Sequence, residues 1–281
     1  ERPFFLNLCH YAVHVPIQAP QAGIEKYTEK ARALGLDKMQ ALVEGENFPC
    51  EHKRLKKVIR RVLQSDPAYA SMIENLDWNI GRLLQAIAAK GKAGNTVVFF
   101  TSDNGGLSTA ESSPTCNSPL AQGKGWMYEG GTREPLIVKW PGVIAPGSAS
   151  EGIVTSTDFY PTMLEMAGLD PIPQQHCDGV SFAPFLRGGK ELGREAIYWH
   201  YPHYGNQGGT PGCSVLRGDY KLIKFFEDNH KELYNLRQDI GETHNLVMAM
   251  PDLAGDMEKM LDGWLTGVGA QIPRPNPEYK E

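Results

Sequence analysis

The sequence predicts a mixed α/β protein, and three observations carry that reading. A β-branched and aromatic run, Thr96-Val-Val-Phe-Phe-Thr101, leads straight into Ser102-Asp103-Asn104-Gly105-Gly106. A long amphipathic helix immediately precedes it, giving a helix-then-strand unit. From about residue 195 several short strands follow one another before a last helix, a pattern of antiparallel α+β type. The chain has 281 residues, 41% hydrophobic and 22% charged, with a net charge of -5. That composition suits a globular chain with one large core or two smaller ones. It carries no basic stripe, which argues against nucleic acid as a partner. No apolar run approaches the ~20 residues needed to span a bilayer.

In chain order, residues 3–9 read as a core strand ending at the loop that holds His14. A strand so near the first residue suggests that an upstream segment is missing. Residues 17–66 are mixed and charged, and the basic cluster from Lys53 to Arg61 reads as a solvated helix face. Asp66-Pro67 starts a helix, with a capping residue followed by proline at the first helical position. Its apolar residues Tyr69, Met72, Ile73, Leu76, Ile80, Leu83, Leu84 and Ile87 form one stripe of a 3.6 period. Gly91 and Gly94 end it.

The strand 96–101 reads as buried on both faces. It places Asp103 and Asn104 at its carboxyl end, where open α/β sheets bind ligands. A carboxylate and an amide oxygen are hard donors that suit Ca²⁺ or Mg²⁺, although an ordinary Asx turn has the same composition. A polar loop over 105–123 follows, then a strand from Pro135 to Pro141 and a helix from Asp158 to Gly168. Beyond 195 the strands are 196–199, a hairpin 214–217 and 220–226 turning at Gly218-Asp219, and 232–236. A helix spans about 250–264. The domain division read from this pattern is 1–194 and 195–281.

The segment Gly123-Lys124-Gly125 sets a lysine between glycines, where a ligand could approach the backbone. A nucleotide-binding P-loop is excluded, because Ser118 and Gly125 stand where it requires Gly and Ser or Thr. What remains is a lysine able to hold an oxyanion as a point charge. The stretch from Tyr198 to Gly212 is rich in aromatics and contains His200 and His203, a composition suited to stacking on a sugar ring. It is equally the composition of a glycine-rich connection. The five cysteines at 9, 50, 116, 177 and 213 form no C-x-x-C pair, which argues against a zinc site and leaves room for one disulfide.

Taken together, these segments resemble the formylglycine-dependent sulfatases of the alkaline-phosphatase-like superfamily. The most specific pieces are Ser102-Asp-Asn-Gly105 and Gly123-Lys-Gly with Tyr128-Glu-Gly-Gly-Thr-Arg-Glu-Pro135. Pro3-Phe-Phe-Leu, His14-Val-Pro16, Asp158-Phe-Tyr-Pro, Asp178-Gly-Val-Ser, Gly218-Asp-Tyr-Lys-Leu and Glu242-Thr-His-Asn-Leu246 follow in family order. The resemblance implies a partial alkaline-phosphatase-like sheet flanked by helices, with a small C-terminal antiparallel subdomain. It implies that Asp103 and Asn104 are two ligands of a Ca²⁺ site incomplete in this chain. Lys124 would bind sulfate, and His14 would protonate the leaving group. Zinc phosphatases of the superfamily carry Asp-His where this chain has Asp103-Asn104, and the oxygen donor favours Ca²⁺.

The family's nucleophile, a cysteine or serine converted to formylglycine in Cys/Ser-x-Pro-x-Arg, has no counterpart among these residues. The expectation is therefore the C-terminal portion of a sulfatase, inactive without the missing N-terminal half of the same protein. Its substrate would be a sulfated small molecule or glycan, with His200 and His203 near it. The family further implies a periplasmic, secreted or lysosomal-type setting. A phosphatase or phosphodiesterase of the same superfamily, and a non-catalytic chain, are the alternatives.

Overall fold

A computed structural model describes residues 2–48, 53–189 and 192–278. Its elements are α1 (Gln21–Ala33), β1 (Leu42–Asn47), β2 (Lys57–Arg61), α2 (Pro67–Ala89), β3 (Val98–Thr101), α3 (Glu129–Thr132), β4 (Leu136–Lys139), α4 (Phe159–Met166), α5 (Ala183–Leu186), β5 (Ile197–Tyr201), β6 (Gly212–Arg217), β7 (Tyr220–Phe225), β8 (Lys231–Asn235) and α6 (Pro251–Gly267). The mixed α/β class expected from the sequence is what is found. Among the described residues no helix is long and apolar enough to cross a membrane.

The helix starts follow the local chemistry. The Asp66 carboxylate accepts from Tyr69 N at 2.9 Å and Pro67 occupies the first turn, where its missing N–H costs nothing. Asp158 is fully buried at the entry to α4. It accepts from Thr155 N at 2.7 Å and Val180 N at 2.9 Å, and its charge is met by Arg194 at 2.7 Å. The hairpin of β6 and β7 turns at Gly218, whose φ of 56° is a left-handed conformation that glycine adopts at little cost.

Three expectations are corrected. Residues 3–9 form no strand: a strand exists only as a hydrogen-bonded ladder, and no described segment pairs with this one. Phe5 is 77% exposed. The basic cluster is not a helix face, because Lys57–Arg61 is β2, antiparallel to β1. There Val58 is fully buried beside Phe48 and Trp126, while Arg60 pairs with Glu46 and Arg61 with Asp66. Finally β3 is covered on one face only. It pairs antiparallel with β4, and Phe99 meets the rings of Phe159 and Phe182 edge-on at 5.7 and 6.1 Å. Phe100, pointing the other way, stays exposed along with Ile137 on β4.

The largest core lies in the C-terminal half. Strands β5–β8 form one antiparallel sheet in sequential order. One face, with Cys213, Val215, Leu222 and Leu233, packs on Ala254, Met257, Leu261 and Leu265 of α6. Tyr198 stacks on Trp264 there at 4.9 Å. The opposite face, with Leu216, Ile223, Phe225 and Tyr234, buries Met127. The period-2 alternation of the strands thus gives one face to α6 and the other to the segment following Lys124. Among the described residues Cys9, Cys116, Cys177 and Cys213 are free thiols; Cys50 lies outside the described residues.

Candidate active site

His14 and Lys124, 110 residues apart, meet in space: Lys124 Nζ lies 3.2 Å from His14 Nε2. The turn from Tyr11 to Val15 holds the imidazole. His14 N donates to Tyr11 O at 2.9 Å, Tyr11 Oη donates to Val15 O at 2.9 Å, and the two rings sit 5.3 Å apart. Lysine can only donate, so His14 Nε2 is the acceptor of this bond. The remaining proton then sits on Nδ1, which donates to Val15 O at 2.8 Å.

Lys124 is positioned through its backbone. Lys124 N donates to Gly106 O at 3.1 Å. The Asn117 amide staples the same two loops, donating to Gly106 O at 2.8 Å and Gln122 O at 2.9 Å while accepting from Gly106 N at 3.1 Å. Three glycines allow the approach. A Cβ on Gly105 would lie 1.7 Å from Gly130 O, one on Gly123 would lie 2.3 Å from Gly106 O, and one on Gly131 would lie 2.3 Å from Trp126 O. Gly105 N donates to Gly131 O at 3.2 Å. The Asp103-Asn104 turn and the Lys124 loop are therefore clamped together, with α3 between them.

Asp103 is exposed at the end of β3. The β3–β4 register pairs Thr101 with Leu136, and its continuation brings Glu134 opposite Asp103. Glu134 was not singled out from the sequence as a site residue. Burial pushes its carboxyl up to about 7, and the Asp103 charge adds to the push. Its Oε1 is buried without a hydrogen-bond partner among the described residues. Among the described residues no three His, Cys, Asp or Glu side chains converge as a metal cage. Yet hard oxygens and excess negative charge without a facing donor fit a divalent cation, so the residues present are compatible with Ca²⁺.

The glycine-rich stretch after β5 folds against this loop. Thr109 Oγ1 donates to Gln207 O at 2.6 Å and accepts from Trp126 Nε1 at 3.2 Å. A Cβ on Gly209 would lie 1.9 Å from Gly125 O. His203 is exposed in this stretch and packs on Tyr201 at 5.3 Å. His200 does not join it. Its Nε2 lies 3.0 Å from Gln271 O and its ring meets Phe226, on the α6 face of the sheet and away from Lys124.

Behind the loop, Lys221 of β7 is fully buried between Glu129 and Glu242, at 2.9 and 3.3 Å. Burial pushes the Glu242 carboxyl up to about 7 against the pull of Lys221. Tyr128 Oη donates to Glu232 at 2.8 Å, and burial raises the phenol. Lys221, Asn117 and Glu134 were not marked from the sequence. Lys221 and Glu134 fall within the family-like segments without a role attached, and Asn117 lies in a polar loop that gives no signal.

Two family models match the chain. The sulfatase family model matches residues 1–169, and the model for the C-terminal part of N-sulphoglucosamine sulphohydrolase matches 122–265. The chain is 36% identical to a sulfatase of Formosa agariphila over 99% of its length and 51% of that protein's. It is 33% identical to human arylsulfatase A over 64% of its length and 39% of that protein's. Among solved structures, Ps i-CgsB superposes with a TM-score of 0.71 at 26% identity, over 93% of this chain and 50% of that one. BT4656, in complex with its substrate D-glucosamine-2-N,6-O-disulfate, superposes with a TM-score of 0.60 at 28% identity, over 71% of this chain and 40% of that one. The chain thus spans about half the length of relatives such as the Formosa agariphila sulfatase and Ps i-CgsB. With the sulfatase model covering more than half of its residues, this chain belongs to the sulfatase family.

Proposed function

We propose that this chain supplies the leaving-group acid, a sulfate-binding cation and part of the calcium site of a sulfuric ester hydrolase acting on a sulfated carbohydrate. The observation that carries the reading is the 3.2 Å approach of Lys124 to His14 beside the clamped Asp103-Asn104 turn. Lys124 holds sulfate oxygens as a point charge, offsetting their repulsion of a nucleophile. An arriving sulfate ester draws the Lys124 ammonium onto its own oxygens and frees His14 Nε2, which takes up a proton from solvent. His14 Nε2–H then faces the ester oxygen and protonates it as the sulfur–oxygen bond breaks. Asp103 and Asn104 would hold Ca²⁺, with Glu134 beside them. When bound, that ion supplies Lewis-acid charge to the sulfate oxygens. The nucleophile expected from the family, a formylglycine, would come from residues outside this sequence.

A carbohydrate sulfate is favoured because similar proteins carry names such as N-acetylgalactosamine-6-sulfatase, and solved neighbours include a D-glucosamine-2-N,6-O-disulfate complex. The stretch around Gln207 packs against Gly125, next to Lys124, and exposed His203 on the same stretch is the residue put forward for sugar contacts. The test is an assay of the full-length protein on 4-nitrocatechol sulfate and on 4-nitrophenyl phosphate. Hydrolysis of the sulfate, strongly lowered in Lys124→Ala and more mildly in His14→Ala, is expected. Preference for the phosphate, or full activity in both variants, would overturn the reading.

A further inference from the structure

The geometry points to Lys221, Glu129 and Glu242 as a buried charged tether through which the C-terminal sheet positions Lys124 and the Asp103-Asn104 turn; this rests on the function proposed above. The three come from separate parts of the chain: β7, the first residue of α3 and the loop after β8. Lys221 Nζ lies 2.9 Å from Glu129 Oε1, 3.3 Å from Glu242 Oε1 and 3.4 Å from Thr132 Oγ1, and 5.9 Å from the centroid of the Trp199 ring. Glu242 Oε2 accepts from the backbone N of Glu129 at 2.6 Å. Arg133 reaches Glu129 Oε2 at 3.3 Å. Lys221 and Arg133 therefore both meet the Glu129 carboxylate while Glu242 holds its backbone N, so both ends of the Glu129 residue are held at once.

What α3 touches makes this a positioning device. Gly130 N donates to Ala121 O at 2.8 Å, and Gly131 O accepts from Gly105 N. Gly105 adjoins Asn104, and a Cβ on it would strike Gly130 O. Gly131 leaves no room for a Cβ against Gly123 O, which adjoins Lys124. A displacement of Glu129 is thus passed to both functional loops through backbone contacts that have no slack. Stability alone does not account for the triad. Buried ion pairs are often replaceable by apolar residues of similar volume without loss of stability, and here the hydrogen bonds from Lys221 to Glu129 and from Glu129 N to Glu242 fix where α3 sits. Lys221 is a positioning residue that acts through Lys124 and touches no substrate.

The test uses the full-length protein with Lys221→Met, Glu242→Gln, Lys124→Ala and the double variant Lys221→Met/Lys124→Ala, assayed on 4-nitrocatechol sulfate. Lys221→Met is expected to lower kcat by about tenfold or more, with a smaller change in KM, since small misplacements of a reacting group are costly. In the Lys124→Ala background the same change should cost less than about twofold, because the residue it positions is gone. Glu242→Gln keeps the Lys221–Glu129 pair neutral and should fold, with a smaller loss in the same direction. Amide exchange, followed by mass spectrometry, should quicken in peptides covering 103–106 and 121–131 and stay unchanged in α2. Losses that multiply fully in the double variant, or unchanged exchange in those peptides, would overturn the tether. If the wild-type protein cleaves no sulfate, or Lys124→Ala is silent, the proposed function falls, while the exchange measurement still decides the tether.

Discussion

The ammonium of Lys124 and the imidazole of His14 lie in hydrogen-bond contact at 3.2 Å although 110 residues of chain separate them. Two basic groups do not approach so closely for stability. Their pairing holds one imidazole tautomer and leaves a cation and a proton carrier side by side, an arrangement that an anionic ester can exploit. Lys124→Ala should lower kcat/KM on aryl sulfates by about 10²–10³, the usual cost of losing one oxyanion donor. His14→Ala should cost about 10²–10⁴ with a poor leaving group such as an alkyl sulfate. The loss should shrink for 4-nitrocatechol sulfate, whose phenolate departs without help. Leaving-group dependence measured on both proteins checks this, and equal losses for both substrates would remove the acid role from His14.

Glu134 faces Asp103 across the end of the β3–β4 pair and keeps a buried oxygen without a partner among the described residues. Such a group is costly unless a cation satisfies it. Replacing it with glutamine removes a carboxyl from the edge of the proposed calcium site while keeping its volume. Glu134→Gln should weaken Ca²⁺ binding to the full-length protein several-fold. Titration of the metal-stripped protein by calorimetry reads the change directly, and an unaltered affinity would separate Glu134 from the ion.

Glu242 gives the fold a pH dependence whose sign can be worked out. Burial raises its carboxyl from 4.5 to about 7 in the folded chain. Between those values the folded state binds a proton that the unfolded state has released. Stability therefore falls as pH rises from about 4.5 to about 7, and the effect levels off above that. The contribution is about 1–3 kcal/mol. Denaturant midpoints of the full-length protein between pH 5 and 8, compared with those of Glu242→Gln, check it: the variant should lose this slope.

Much of the architecture was legible where local chemistry and tertiary packing agree. The Asp66-Pro67 start of α2, the glycine stop of α4 at Gly168 and the Gly218-Asp219 hairpin all follow from residue preferences that need no distant partner. The β1–β2 hairpin was not legible. Its strands are charged, Gly45 interrupts one of them, and only Val58 enters a core. The strand expected at 3–9 shows the converse, an apolar run with no ladder beside it among the described residues. At the site, Asp103, Asn104, Lys124 and His14 were marked through family resemblance. Nothing in a spacing of 110 residues foretells contact. Glu134 and Lys221 lie inside the family-like segments but received no role there, because their meaning lies in register and burial, which only coordinates supply.

The two faces of the C-terminal sheet should respond differently to cavities. Leu261 is fully buried between α6 and the sheet, on the face away from Lys124. Leu261→Ala should lower stability by about 2–5 kcal/mol and leave kcat of the folded enzyme unchanged. Met127 is buried on the other face, three residues beyond Lys124. Met127→Ala should destabilise by a similar amount and lower kcat as well. Thermal melts paired with active-site-normalised kinetics distinguish the two, and equal kinetic losses would contradict the division of labour between the faces.

His200 and His203, three residues apart, should separate in the same way. The His200 ring is spent on Gln271 O and Phe226 beneath the sheet, so His200→Ala should lower the melting temperature and leave KM unchanged. His203 is exposed on the stretch that packs against Gly125 and Trp126, and the proposed function has a sugar held at Lys124 reach it. A histidine there can stack on a sugar ring and hydrogen-bond its hydroxyls, contacts that a small aryl sulfate cannot make. His203→Ala should therefore raise KM several-fold for a sulfated disaccharide and leave 4-nitrocatechol sulfate hydrolysis within about twofold. Equal effects on both substrates would place the sugar elsewhere, and a KM change in His200→Ala alone would mean that the opposite face of β5 meets the substrate.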